Sequence, residues 1–136
     1  MIDRETLSRV SLFADLDGPQ LAELAHTLDE ERFPDGSRAV HQGLPSGGLY
    51  VILDGSASVV VDGTERAVLR PGDFFGEASI LTGDPAIADV VAQGNLHCAV
   101  ADSGELRTLL RRFPSVAIRM LEVGARRLRA ATEWQP

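Results

Sequence analysis

Residues 71–92 read Pro71-Gly-Asp-Phe-Phe-Gly-Glu-Ala-Ser-Ile-Leu-Thr-Gly-Asp-Pro-Ala-Ile-Ala-Asp-Val-Val-Ala92. This stretch decides the fold, because it interrupts a strand-rich region with something that is neither strand nor tight turn. Glu77–Leu81 has helical composition but spans only a turn and a half, too short to be stable alone. Gly76 precedes it and lets a ligand approach the backbone. The first N–H groups of a helix have no internal partner, so such a start favours an anion. Glu77 adds a carboxylate that can accept two hydroxyl hydrogen bonds. A helix start with an acceptor beside it suits a ligand carrying both a phosphate and a sugar diol.

Outward from this insertion the texture is β-rich. Leu49-Tyr-Val-Ile-Leu ends at Asp54-Gly55, and Ala57-Ser-Val-Val-Val ends at Asp62-Gly63. Asp-Gly between β-rich runs predicts hairpin turns at both places. Arg66-Ala-Val-Leu-Arg ends at Pro71-Gly72, while Val90-Val-Ala and Leu96-His-Cys-Ala-Val flank Gln93-Gly-Asn. Short strands at this spacing predict an antiparallel β-roll, or jelly roll, over residues 32–101, with the insertion at 71–92 inside it.

Both ends are helical. Asp17-Gly-Pro puts an N-cap before a first-turn proline, and Leu21, Leu24, Ala25 and Leu28 follow at helical spacing. Leu7, Val10, Leu12 and Phe13 predict a shorter helix and turn on the same core, giving N-terminal helices over 1–31. Ser103 is placed to cap a helix over Gly104–Phe113, and Pro114 ends it. Ser115–Ala131 forms a longer helix with Ala117, Met120, Leu121, Gly124, Leu128 and Ala131 on one stripe. The C-terminal helices thus span 103–132, and residues 1–136 form a single domain, mostly β with flanking helices.

Composition narrows the function. The 136 residues suffice for one hydrophobic core. The lone Cys98 excludes a disulfide framework and multi-cysteine metal sites, and its alternation with Leu96 and Val100 turns it toward the core. His41, His97 and Cys98 show no metal-ligand spacing, and no arrangement resembles a nucleophile elbow, so neither a metal nor an enzymatic activity is expected. No apolar run approaches the ~20 residues of a membrane span, and Met1-Ile-Asp-Arg-Glu lacks the apolar stretch of a signal peptide, so a cytoplasmic location is expected. The net charge of −7 argues against nucleic acid as the main partner. The charge is uneven: residues 1–102 hold six Arg against 17 acids, and residues 103–136 hold seven Arg against three acids.

The chain resembles the cyclic nucleotide-binding domain superfamily over about residues 7–131. The likeness rests on Leu12-Phe13, Gly36, Leu49-Tyr-Val-Ile-Leu-Asp-Gly55, and above all Pro71-Gly-Asp-Phe-Phe-Gly-Glu77 with the following Ala-Ser-Ile-Leu. That superfamily includes catabolite activators, protein kinase A regulatory subunits and cyclic-nucleotide-gated channels. The resemblance implies that the 71–92 segment is a phosphate-binding cassette. In it Glu77 would hold the ribose 2′-hydroxyl, and the N–H groups of Gly76 and Ala78 would contribute to the cradle. Positions 86 and 89 would carry the phosphate arginine and a hydroxyl residue, but this chain has Ala86 and Asp89 there. No arginine occurs between Pro71 and Asp102. Arg66 and Arg70 precede the cassette. Arg119, Arg126 and Arg127 lie on the last helix, which in this family can close over the pocket.

The resemblance therefore implies a non-catalytic regulatory or ligand-sensing domain in signal transduction, with cAMP or cGMP as a weak ligand at most and no other cofactor. Losing the arginine of a desolvated phosphate pair costs about 2–5 kcal/mol, or ~30-fold to several-thousand-fold in affinity. The competing expectation is a degenerate fold serving as a dimerisation or protein-interaction module. In the family the last helix often pairs with its twin, so a homodimer through Ala117, Met120, Leu121, Gly124 and Leu128 is expected. With only a few residues after that helix, no DNA-binding domain is expected within this chain.

Overall fold

The computed structural model describes residues 2–132 of the chain. Near the N-terminus, α1 (Arg4–Ser8) is capped by the Asp3 side chain and followed by a 3-10 turn over Ser11–Phe13. The next helix, α2 (Gly18–Thr27), has the expected Asp17 cap, completed as a capping box by Gln20. The strands are β1 (Asp29–Phe33), β2 (Arg38–Val40), β3 (Gly48–Val61), β4 (Thr64–Leu69), β5 (Phe74–Phe75) and β6 (Asp89–Asp102), with α3 (Glu77–Thr82) between the last two. Two helices, α4 (Ser103–Arg112) and α5 (Pro114–Thr132), complete the order. All strand pairs are antiparallel, in the order β1-β6-β3-β4, with β2 also on β6 and β5 also on β3. The expected β-roll with flanking helices is the observed fold.

Two of the predicted turns are corrected. Asp54-Gly55 is no hairpin: β3 runs straight through it as one 14-residue strand. The register against β6 shifts on both sides of Asp54, so the pair forms a bulge. Gly55 has φ +83°, and a Cβ there would fall on the Asn95 carbonyl oxygen. Gln93-Gly-Asn is likewise internal to the 14-residue β6. By contrast, Asp62-Gly63 is the two-residue turn joining β3 to β4, with φ +51° and +79°, as a type I′ hairpin requires. Strand structure also begins at Asp29 rather than 32. Asp102, not Ser103, caps α4, because its carboxylate accepts the Glu105 N–H at 2.8 Å while Glu105 reaches back.

The two long strands divide the core by their period of two. Leu49 and Val51 of β3, with Ala99 and Ala101 of β6, pack under Leu7, Phe13, Leu24, Leu106, Val116 and Met120 of the helical pieces. Tyr50 and Ile52, with Cys98 and Val100, form a second core with Phe75, Val40, Leu69 and Val90. Phe74 belongs to the first core and Phe75 to the second. Burying each phenyl is worth about 1.5–3 kcal/mol, so the start of the 71–92 segment is nailed to both cores at once. Tyr50 stacks on Phe75 at 5.0 Å between ring centres.

Candidate functional site

The double anchor at Phe74–Phe75 delivers Gly76 and Glu77 to a fixed place. Gly76 sits at φ +92°, where a Cβ would fall on the Gly48 carbonyl oxygen and within 2.7 Å of the Ser46 hydroxyl. Only glycine fits both the angle and the approach. The six-residue α3 starts there and ends at Gly83, φ +78°. A helix this short needs outside support, and it receives it from three directions. The Ser79 hydroxyl accepts the Ser46 N–H at 3.1 Å and donates to the Asp84 carbonyl at 2.7 Å. Arg107 of α4 donates to the Ile80 and Leu81 carbonyls at 3.2 and 3.4 Å, closing the C-terminal end.

The third support is Arg127 of α5. One guanidinium nitrogen donates to the Phe74 carbonyl at 2.6 Å, and the other stands 3.4 Å from Glu77 Oε1. The guanidinium also lies over the Phe74 ring, 4.6 Å from its centre, a favourable cation–π placement. The Glu77 side chain is only 14% exposed. Burial pushes its carboxyl up from the ordinary glutamate value, while Arg127 and the N–H groups of Glu77 and Ala78 oppose that rise. The Ala78 N–H, which the resemblance turned toward a ligand, therefore acts on the Glu77 carboxylate; the Ala78 residue itself is exposed.

Ala86 and Asp89 occupy the other end of the segment. Ala86 is half-buried, packed against the second core, and its main chain is fastened to the β2–β3 loop. Its N–H donates to the Leu44 carbonyl at 2.9 Å, and its carbonyl accepts the Gly43 N–H at 2.8 Å. Leu44 and Ile87 beside it are exposed. Asp89 accepts the Gln42 N–H at 2.7 Å and lies 3.7 Å from Arg38. Its carboxylate is thus engaged in holding the loop, a role the sequence did not reveal, and Arg38 balances its charge.

Of the basic residues that could replace the missing arginine, Arg119 is committed to Asp15 at 2.7 Å and Arg126 lies near Glu122 at 3.8 Å. Both line a cleft of about 280 Å³ bounded by Leu12, Pro71 and Phe74. Arg127 alone of the three reaches the segment, and it does so at Glu77. Its sequence signal was its register: Val116, Met120, Val123 and Arg127 fall on one face of α5, and the first three pack on the first core.

Met120 is buried there, so it cannot belong to a stripe offered to a second chain. Ala117 is half-buried. Of the expected dimer residues, Leu121, Gly124 and Leu128 are exposed, and Ile118 joins them as a large exposed apolar side chain. Cys98 is buried, and its thiol is pushed up to about 12, chiefly by burial, which leaves it unreactive. Among the described residues no group of three or more His, Cys, Asp and Glu side chains could hold a metal ion, and no helix is long and apolar enough to cross a membrane.

Residues 30–113 match the family model described as a cyclic nucleotide-binding domain. Among solved structures, the N-terminal domain of a transcriptional regulator from Streptomyces coelicolor A3(2) is 33% identical, with a TM-score of 0.69, over 97% of this chain and 94% of that one. The Thermus thermophilus catabolite activator protein is 29% identical with a TM-score of 0.78, over 89% of this chain and 59% of that one. The regulatory subunit of a cAMP-independent protein kinase A from Trypanosoma cruzi, bound to guanosine, is 26% identical with a TM-score of 0.75, over 85% of this chain and 42% of that one. The chain spans about half the length of several of the solved proteins it matches.

Proposed function

Since this chain belongs to the cyclic nucleotide-binding domain family, we propose that it is a non-catalytic regulatory module that reads a ribose-type diol through Glu77 and binds cyclic AMP weakly or not at all. The observation that carries this is the asymmetry of the cassette. Its Glu77 end is kept, largely shielded from solvent and built on a glycine that admits no other residue. Its phosphate end has Ala86 for the arginine, exposed Leu44 and Ile87, and a carboxylate at Asp89. An anion entering there meets no guanidinium from residues 71–102, whereas a neutral diol needs none. The Trypanosoma cruzi relative, cAMP-independent and bound to guanosine, supports the same chemistry, since guanosine carries the diol without the phosphate.

Calorimetric titration tests this. Guanosine is expected to bind, 2′-deoxyguanosine to bind more weakly because one hydroxyl is missing, and cyclic AMP to bind no better than high micromolar. A sub-micromolar dissociation constant for cyclic AMP overturns the reading.

The second part of the proposal is assembly. Ile118, Leu121 and Leu128 recur at i, i+3 and i+10 and lie exposed on α5. A helix with one apolar face in its own core and a second facing outward suits pairing with a twin. A homodimer through α5 is the arrangement this favours.

A further inference from the structure

The large exposed apolar side chains are gathered in two places. Among the described residues they are Leu44, Leu81, Ile87, Ile118, Leu121 and Leu128. The last three lie on α5. Leu81 is on α3, Ile87 is in the second half of the cassette, and Leu44 is in the β2–β3 loop clasped to it. Two main-chain hydrogen bonds make that clasp: the Ala86 N–H donates to the Leu44 carbonyl, and the Gly43 N–H donates to the Ala86 carbonyl. Leu44 is 55% exposed and Ile87 82%, with Ala86 between them in the clasp. An exposed apolar residue standing alone is ordinary, whereas several gathered beside a site favour an occupant.

The same loop leads to Glu77. Ser46 gives its N–H to the Ser79 hydroxyl of α3, and its own hydroxyl stands 2.7 Å from where a Cβ on Gly76 would be. Leu44 is two residues before Ser46, at most about 7 Å along the chain. A ribose held by its diol on Glu77 and carrying a short substituent spans that distance. The charges at the far end are already engaged, because the Asp89 carboxylate accepts the Gln42 N–H and faces Arg38 at 3.7 Å. Residues 71–102 contain no arginine or lysine. An anionic group seated there meets the Asp89 carboxylate, whereas an uncharged apolar one meets Leu44, Ala86 and Ile87.

We propose that the ligand of this cassette is a nucleoside with an uncharged apolar group at its 5′ position, its diol on Glu77 and the apolar group covering Leu44, Ala86 and Ile87. This rests on the reading that Glu77 receives a ribose diol, and it names the class of ligand which that reading takes. Hydrophobic burial stands in for an ion pair as the source of affinity at the second end of the site. Such burial is non-directional and grows with the apolar area covered, so a thioether or alkyl group serves there and a phosphate or carboxylate does not.

The test titrates the whole chain by calorimetry with guanosine and with 5′-deoxy-5′-methylthioguanosine, which carries a methylthio group in place of the 5′-hydroxyl. The methylthio compound is expected to bind about tenfold tighter, the lower end of the range for a small apolar group entering an apolar site. Leu44→Asp and Ile87→Asp change exposed positions, where substitution is usually tolerated by the fold. Each should weaken the methylthio compound more than guanosine and so close much of the gap between them. Equal or weaker binding of the methylthio compound by the unmodified chain overturns the proposal and leaves the diol reading in place. So does a preference for it that survives both substitutions in full. If neither compound gives heat at millimolar concentration, the diol reading fails and this proposal falls with it.

Discussion

The Ala86→Arg variant asks whether the phosphate end of the cassette lacks only its charge. The main chain at this position is pinned by the two hydrogen bonds to Gly43 and Leu44, so a longer side chain need not shift the segment. Its own half-burial supplies the partial desolvation that makes a charge pair count. Restoring the arginine of a desolvated phosphate pair recovers about 2–5 kcal/mol, or ~30-fold to several-thousand-fold in cyclic AMP affinity. The surroundings push the expectation to the lower end. Asp89 is three residues on, and a new guanidinium can be drawn to its carboxylate instead, in competition with Arg38 at 3.7 Å. About 30-fold is therefore expected of the single variant.

Adding Asp89→Thr removes the competitor, but at a structural cost the sequence did not signal. The Gln42 N–H loses its carboxylate acceptor. A partly buried donor left unmet costs about 1–3 kcal/mol, unless the new hydroxyl accepts it. The assay is calorimetry with cyclic AMP to millimolar, beside thermal melts of each variant. Glu77→Ala in the Ala86→Arg background should weaken binding again. An Ala86→Arg variant that melts like the parent yet gives no heat at millimolar cyclic AMP refutes the argument, because the pocket then differs in shape as well as charge.

The exposed stripe of α5 predicts that Leu121→Arg or Leu128→Arg splits a dimer while the melting temperature of the roll holds; light scattering that reports a monomer for the unmodified chain at tens of micromolar removes the idea. Titration gives a further expectation. Burial raises the Glu77 carboxyl above its unfolded value, so the folded state binds the proton more tightly, and the stability this group contributes is present at low pH and lost as pH rises through the folded value. Glu77→Gln does not titrate, so its melting temperature should gain on the parent's between about pH 4 and pH 8; a difference that moves the other way would mean that Arg127 outweighs burial.

Much of this architecture was legible because local and global signals agreed. Asp17 before Gly-Pro, the Asp62-Gly63 turn and the β-rich run Leu49-Tyr-Val-Ile-Leu each specify one conformation, and each is found. The misread turns share a cause. Gly55 and Gly94 both take positive φ, and both a turn and a bulge use it. Only the partner strand decides between them. At Gly55 that partner is the Asn95 carbonyl, 40 residues away and invisible to local pattern. In the site, Glu77 and Gly76 were legible from the motif, whereas the role of Asp89 was not, since its partners Gln42 and Arg38 lie on another strand and loop.

The last helix shows the limit most sharply. Apolar residues at Val116, Met120 and Val123 and at Ile118, Leu121 and Leu128 form two faces, and hydrophobicity cannot tell a face that meets its own core from one that meets another chain. Reading them as a single stripe merged Met120, which is buried, with Leu121, which is 72% exposed. What separates them is the charge that continues one face and not the other. Arg127 stands in register with the core residues, where an arginine is tolerated only if something receives it. Here Phe74 offers its carbonyl and ring, and Glu77 its carboxylate. A cation in register with a core stripe is therefore a pointer to a buried acid elsewhere in the chain. In a sequence whose last helix carries four arginines, that register singles out Arg127, which reaches the cassette at Phe74 and Glu77.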